Sequence, residues 1–158
     1  MRRKEREVKD LNTIRQIMYK CDVCRVAFHD SPFPYIVPMN FGIKEEGEKI
    51  ILYFHCAKEG KKMDLIRKND YVAFEMDCDH KIVLNHDYMT CTMSYQSVVG
   101  NGILSIVEDE EEEHSGIQAI MDHYHSSDYA YDRSYLPATA VLKLSVQECT
   151  GKQNILDK

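Results

Sequence analysis

The stretch Tyr53-Phe54-His55-Cys56-Ala57-Lys58-Glu59-Gly60-Lys61-Lys62 organises the reading of this chain. Lys49-Ile50-Ile51-Leu52 precede it, so residues 49–55 are a run of β-formers of strand length. The run then stops. Ala57 to Lys62 is polar, carries one glycine, and leads into Met63, Leu65 and Ile66, the apolar positions of a short helix closed by Asn69-Asp70. A strand that gives way through glycine to a helix leaves backbone N–H groups and the positive end of the helix dipole free. Lys61 and Lys62 add charge there, which is the chemistry of an anion site, such as one for a phosphate. A solvated basic turn has the same composition, and the pattern alone leaves both readings open. His55 shares a strand face with Ile51 and Tyr53. It suits a phosphate, a cofactor or a neighbouring carbonyl, and for a single histidine local hydrogen bonding is the plainer reading.

Upstream, Leu11, Ile14, Ile17, Met18 and Cys21 make the stripe of a short amphipathic helix, with Asp10 and Asn12 as caps. Cys24 to Phe28 alternates as a strand, and Asp30-Ser31-Pro32-Phe33-Pro34 is a turn. Tyr35 to Phe41 reads extended, but Pro38 cannot donate to a ladder, so this strand is interrupted, bulged or at an edge. Gly42 to Glu48 reads as a polar hairpin connection. Downstream, Tyr71 to Cys78 is a strand and Asp79 to Asp87 a polar loop. Cys91 to Val107 is a long β pattern kinked at Gly100-Asn101-Gly102. Its first part, Ser94 to Gly102, sets hydroxyls and an aromatic before the kink; a ligand lying along the backbone and an ordinary barrel corner both fit. Ile117, Ile120, Met121 and Tyr124 mark a helix, and Ala140 to Gln147 a last strand ended by Thr150-Gly151-Lys152. About six strands, clustered and joined by short turns, with three helices, argue against a doubly wound parallel sheet. They favour a small, mainly antiparallel barrel with helices at its ends.

The chain has 158 residues and 44% hydrophobic composition, which is the size and balance of one domain spanning 1–158. No apolar run nears the ~20 residues a membrane helix needs, and no apolar segment follows the basic start, so no membrane span or secretory signal is expected and a cytoplasmic location is. The net charge of −6 is matched by one block of acids, Glu108 to Glu113, which reads as a solvated helix start. The neutral remainder lacks the basic face of a nucleic-acid binder. Six scattered cysteines suggest no disulfide framework, and Cys21-Asp-Val-Cys24 lacks the second ligand pair of a zinc site and the strand-to-helix setting of a redox motif. The histidines lack metal-ligand spacing, so no metal is expected. Nucleophile-elbow, phosphate-loop and dinucleotide fingerprints are missing, and no catalytic residue is assigned.

In order and spacing, Pro34-Tyr35-Ile36-Val37-Pro38-Met39-Asn40-Phe41, the 53–62 stretch, Tyr71-Val72-Ala73-Phe74-Glu75, Tyr95-Gln96-Ser97-Val98-Val99-Gly100-Asn101-Gly102 and Thr150-Gly151-Lys152 resemble the flavin-binding split-barrel superfamily related to pyridoxamine 5′-phosphate oxidase. The likeness covers nearly the whole chain and is to the nitroimidazole-resistance branch. It implies a mainly β fold, a six-stranded antiparallel split barrel, and a homodimer with flavin in clefts between the subunits. By the same resemblance Val37, Pro38, Met39 and Asn40 run beside the isoalloxazine, His55, Ala57, Lys61 and Lys62 hold the ribityl phosphate, and Tyr95, Ser97 and Val98 complete the cleft. FMN is the implied cofactor, with FAD possible. The oxidase's arginine-rich phosphate and substrate motifs have no match, so oxidation of the vitamin phosphate is not implied. The implied activity is flavin-dependent reduction of a small electron acceptor, a nitro-aromatic of the 5-nitroimidazole kind. The alternative is a flavin-binding, storage or redox-sensing module without turnover; a haem-binding split barrel is more distant, because no axial-ligand motif marks it.

Overall fold

The structure, a computed structural model, describes residues 3–85, 88–125 and 138–155. After a 3-10 turn at Lys4–Arg6, its elements are β1 (Glu7–Val8), α1 (Leu11–Lys20), β2 (Cys24–Phe28), β3 (Tyr35–Met39), β4 (Gly42–Glu46), β5 (Lys49–Ala57), α2 (Lys61–Lys68), β6 (Tyr71–Asn85), β7 (Thr90–Ile106), α3 (Glu110–Tyr124) and β8 (Thr139–Asn154). All strand pairs are antiparallel. Seven strands follow the order β3-β2-β6-β7-β8-β5-β4, and β1 pairs with β8. The two ends of that path, β3 and β4, are joined only through Asn40-Phe41. The barrel is therefore split between them.

Side-chain alternation explains why the sheet closes. Ile50, Leu52, Phe54 and Cys56 of β5 join one buried cluster with Val26, Phe74, Val98 and Leu144 from the other strands. Ile14, Ile17 and Met18 of α1 and Met63, Leu65 and Ile66 of α2 join the same cluster. The odd residues of β5, Ile51 and Tyr53, turn the other way into a second cluster with Val107, Val141 and Ala119 and Ile120 of α3. Five consecutive residues, Ile50 to Phe54, are thus buried on two faces.

The helices begin where capping chemistry puts them. Thr13 N donates to Asp10 Oδ2 (2.8 Å) at α1, and Glu112 N donates to Asp109 Oδ1 (2.8 Å) at α3. The acids Glu110 to Glu113 fill the first turn of α3, at the positive end of its dipole. One of them is not solely solvated: Glu112 accepts from Tyr53 Oη (3.0 Å) and from Lys143 Nζ (2.5 Å). The far end of α3 holds the α1–β2 turn. Tyr124 Oη donates to Asp22 O (2.7 Å), and His123 Nε2 donates to Cys21 O (2.7 Å) while its ring lies 4.4 Å from Phe41. Cys21 and Cys24 are buried thiols whose pKa values are pushed up, first by burial. Among the described residues no helix is long and apolar enough to cross a membrane.

The strand count is eight rather than six, and three local readings change with it. Residues 42–46 are strand β4, an edge strand whose charged residues Glu45 and Glu46 face solvent; only Gly47-Glu48 form the turn. The expected loop at 79–87 is strand as far as Asn85, passing a register shift between Cys78 and Lys81 where Asp79 has φ 57°. His86 and Asp87 lie outside the described residues. β8 runs through Thr150-Gly151-Lys152 to Asn154, with Gly151 opposite Val98 on one side and Val8 on the other. The expected kink at Gly100-Asn101-Gly102 is a bulge: Asn101 pairs with Glu148 but Gly102 with Val146, leaving Gln147 as the extra residue.

Gly42 is the contact on which α3 seats. A Cβ at that position would stand 2.3 Å from both the Ala119 carbonyl carbon and the Ile120 nitrogen, which are helix backbone and cannot rotate away. Gly42→Ala is expected to lower stability by about 2–4 kcal/mol, through displacement of α3, as read by urea or thermal denaturation. A loss below about 1 kcal/mol would mean that α3 does not pack there.

Candidate functional site

The site grows from the end of β5. Beyond the buried run, the alternation turns His55 and Ala57 to the outside, where both are exposed. The chain then turns at Gly60, whose φ of 120° is a conformation that side chains disfavour. α2 starts at Lys61 with no side-chain cap; Gly60 O accepts from the amides of Met63 (2.9 Å) and Asp64 (3.2 Å). Burial of Met63, Leu65 and Ile66 fixes this helix start against the barrel end, and Cys56 Sγ lies 3.7 Å from Met63 Sδ.

The two lysines divide. Lys61 Nζ pairs with Asp30 Oδ2 at 2.6 Å and sits 4.7 Å above the Tyr35 ring. It ties the start of α2 to the β2–β3 turn and to the first residue of β3. The Lys61 hydrogen bond holds the Asp30 carboxyl below the usual carboxylate range. Lys62 acts on the other side, toward β5. Partial burial and then the Lys62 charge hold the His55 pKa below its ordinary value, and the same charge opposes the upward push of burial on Cys56. Neutral His55 and Lys62 thus stand together beside a helix start that has no side-chain cap.

β3 lies at one end of the strand path, so one of its edges is unpaired. Pro38 sits opposite Arg25 and is exposed, on the edge where its missing N–H costs nothing. Val37 is half-buried and Met39 buried, both opposite core residues of β2. Asn40 is exposed, its Nδ2 donating to Asp22 O at 3.4 Å. What β3 offers a ligand is therefore mostly backbone.

Tyr95, Ser97 and Val98 lie elsewhere. They are on β7, which β2 and β6 separate from β3, about 14 Å away at the usual inter-strand spacing. Tyr95 and Ser97 are half-buried, and Lys152 Nζ is 5.4 Å from the centre of the Tyr95 ring. Burial pushes the Tyr95 phenol up, but hydrogen bonds with Lys152 and Arg6 outweigh it, and the net shift is downward. The Val98 side chain is fully buried in the barrel, so only its backbone is available to a ligand outside. One chain brings Lys61 to the start of β3 and Lys62 beside His55 at the end of β5, and it holds Tyr95 to Val98 three strands from β3. Sequence reasoning missed Asp30 and Tyr35; it read the first as part of a proline turn, and no local pattern reveals a partner that only folding brings near.

The outward face of β3-β2-β6-β7 carries exposed apolar side chains beside charged ones. Ile36, Tyr71 and Val99 on it are 58%, 62% and 50% exposed. Arg25 crosses the same face to Glu75 (3.1 Å) and Asp77 (2.6 Å).

An antiparallel split barrel with a helix start beside an edge strand defines the class of the flavin-binding split barrels. Within that class the chain belongs to the pyridoxamine 5′-phosphate oxidase family, whose model matches residues 10–153. A Bacteroides thetaiotaomicron protein assigned to 5-nitroimidazole antibiotic resistance is 31% identical, with a TM-score of 0.80 over 92% of this chain and 85% of that one. The flavocytochrome Anf3 of Azotobacter vinelandii has a TM-score of 0.80 at 18% identity, covering 100% of this chain and 75% of its own. An FAD and heme binding protein of Mycobacterium smegmatis reaches 0.76 at 16% identity, covering 97% and 76%. These last two share the fold. No curated protein matches in sequence.

His55 reports on the charge around the start of α2. Its folded pKa lies below the unfolded value of 6.5, so neutral His55 contributes stability that is complete above about pH 6.5 and lost as pH falls through the folded value. Lys62→Ala is expected to raise the His55 pKa, and added inorganic phosphate to raise it in the intact protein, both followed by NMR titration of the ring. A His55 pKa indifferent to both changes would place the anion elsewhere.

Proposed function

We propose that the chain is a homodimeric flavoprotein that reduces small electron-poor aromatics, nitro compounds of the 5-nitroimidazole kind among them. The observation that carries the reading is the uncapped start of α2, with Lys61, Lys62 and neutral His55, set beside the unpaired edge strand β3. The donor set fits a flavin. The helix-start amides and Lys62 would hold the phosphate, and Lys61 would exchange Asp30 for it. The edge backbone of Val37 to Asn40 would hydrogen-bond the polar rim of the ring system. Bound there, the flavin supplies the electrons; the chain orients it and sets its electrostatics. His55 is held neutral near pH 7 and is a weak acid there, so protons for a nitro group come from solvent.

Two observations support the dimer. Tyr95 and Ser97 lie three strands from β3 within one chain, so a cleft that uses both needs a second copy. The apolar outward face of β3-β2-β6-β7 supplies a surface for it. The likeness to the nitroimidazole-resistance protein supports the choice of acceptor.

The purified protein is expected to show a flavin spectrum and to sediment at about twice 18.4 kDa. Reduced anaerobically, it is expected to be reoxidised by a 5-nitroimidazole faster than free flavin is. Reoxidation at the free-flavin rate would leave a flavin-holding module without turnover. Lys62→Ala is expected to weaken FMN about tenfold and riboflavin, which has no phosphate, hardly at all. Equal losses for both ligands would move the phosphate from this helix start.

A further inference from the structure

We propose that Tyr95, with Lys152 and Arg6 beside its hydroxyl, is the general acid that hands a proton to the nitro oxygen of the acceptor. The inference rests on the flavin reading above and adds a catalytic residue to it. Within one chain Tyr95 stands three strands from β3, so it acts in the cleft that the second copy completes.

Strand register builds the group. Gln96 and Val98 of β7 are buried, so Tyr95 and Ser97 alternate to the outside. Ser97 stands opposite Lys152 of β8, and Lys152 opposite Glu7 of β1. Lys152 reaches along this outer face until its Nζ is 5.4 Å from the centre of the Tyr95 ring. Arg6 ends the turn that enters β1, so the pairing of β1 with β8 brings its guanidinium to the same phenol. Both cations hydrogen-bond the Tyr95 oxygen.

The acids around this group have other partners. Glu7 pairs with Lys9 (3.5 Å). On β6, Asp77 pairs with Arg25 (2.6 Å) and His80 (2.9 Å), and Asp79 with Lys20 (3.1 Å). Asn154, opposite Tyr95 on β8, turns its amide to Met93 O (2.6 Å). Among the described residues, Lys152 and Arg6 pair with no carboxylate, so two positive charges act on one phenol. Cations that hydrogen-bond a phenol favour its anion, and Tyr95 is shifted below the ordinary value despite its burial. Tyr53 is the contrast: buried and bonded to Glu112, it is pushed up. An acid transfers its proton best when its pKa approaches the working pH.

Reduction of a nitro group to a nitroso group takes a hydride equivalent and one proton. One N–O bond breaks, and that oxygen leaves as water. Reduced flavin, itself charged by an external hydride donor, supplies the hydride equivalent. Tyr95 supplies the proton to the departing oxygen and recovers it from solvent, which remains the source. Lys152 and Arg6 stabilise the negative charge that gathers on the nitro oxygens as electrons arrive, and then the phenolate left behind.

Two measurements test the role. Before flavin is added, tyrosinate absorbance is followed against pH. One tyrosine is expected to titrate below the rest, to vanish in Tyr95→Phe, and to move up in Lys152→Met but not in Lys152→Arg. The flavin-loaded protein is then reduced with dithionite and mixed anaerobically with a 5-nitroimidazole or with ferricyanide, which takes electrons without protons. The ratio of the nitroimidazole rate to the ferricyanide rate is expected to fall about a hundredfold in Tyr95→Phe. In the unaltered protein that ratio is expected to fall as pH rises through the Tyr95 pKa. An unchanged ratio in Tyr95→Phe, or a low-titrating tyrosine that survives the substitution, overturns the acid role and leaves the flavin reading standing. An unaltered protein that binds no flavin, or whose reduced flavin the nitroimidazole does not reoxidise, overturns that reading and the acid role with it.

Discussion

Strand β5 carries apolar side chains on both faces, and neither face can be returned to water. Ile50, Leu52 and Phe54 fill the barrel, while Ile51 and Tyr53 lie under α3. Each such side chain contributes about 1.5–3 kcal/mol by burial, and a slip of one residue would exchange the two sets. The register of β5 against β4 and β8 is therefore fixed. That register decides the face from which His55 leaves the sheet, and where Gly60 and the start of α2 fall. The chemistry at the end of the strand depends on the packing of its middle.

A helix start, Lys61 and Lys62 converge at that end, where Asp30 pairs with Lys61 and Asp64 of the first turn pairs with Arg67. Burial first, and then the Lys62 charge, hold the His55 pKa below its ordinary value. The opposite arrangement holds at α3, where the acids of the first turn complement the dipole and one of them, Glu112, also neutralises Lys143 and accepts from Tyr53. The start of α3 has a side-chain cap in Asp109, and the start of α2 has none.

The outward face of β3-β2-β6-β7 has two characters. Large apolar side chains stand out from it at Ile36, Tyr71 and Val99, while Ala27 and Ala73 make a trough. The bulge at Gln147 adds to the relief, because an unpaired residue on β8 bends the strand and brings Gln147 and Glu148 to one cavity.

Much of this was legible in the sequence because its causes are local. Alternation along residues 49–55, the cap Asp10, the acidic helix start within 108–113, the edge-strand meaning of Pro38 and the helix opening at Lys61 each depend on neighbours within a few positions. β4 hid behind Lys44, Glu45 and Glu46, since an edge strand with one solvated side reads like a turn. The far half of β6 hid behind the bulge residue Asp79, and the end of β8 behind Gly151, a glycine set between neighbouring strands rather than in a turn. By itself the sequence determined the barrel class, the order of its main elements and the opening of a helix at Lys61. Only the tertiary structure decided that Asp30 answers Lys61, that Val98 points inward and that Tyr95 stands three strands from β3. Strand order and long-range pairing are set by how the whole apolar set is buried at once, and no window of sequence contains that sum.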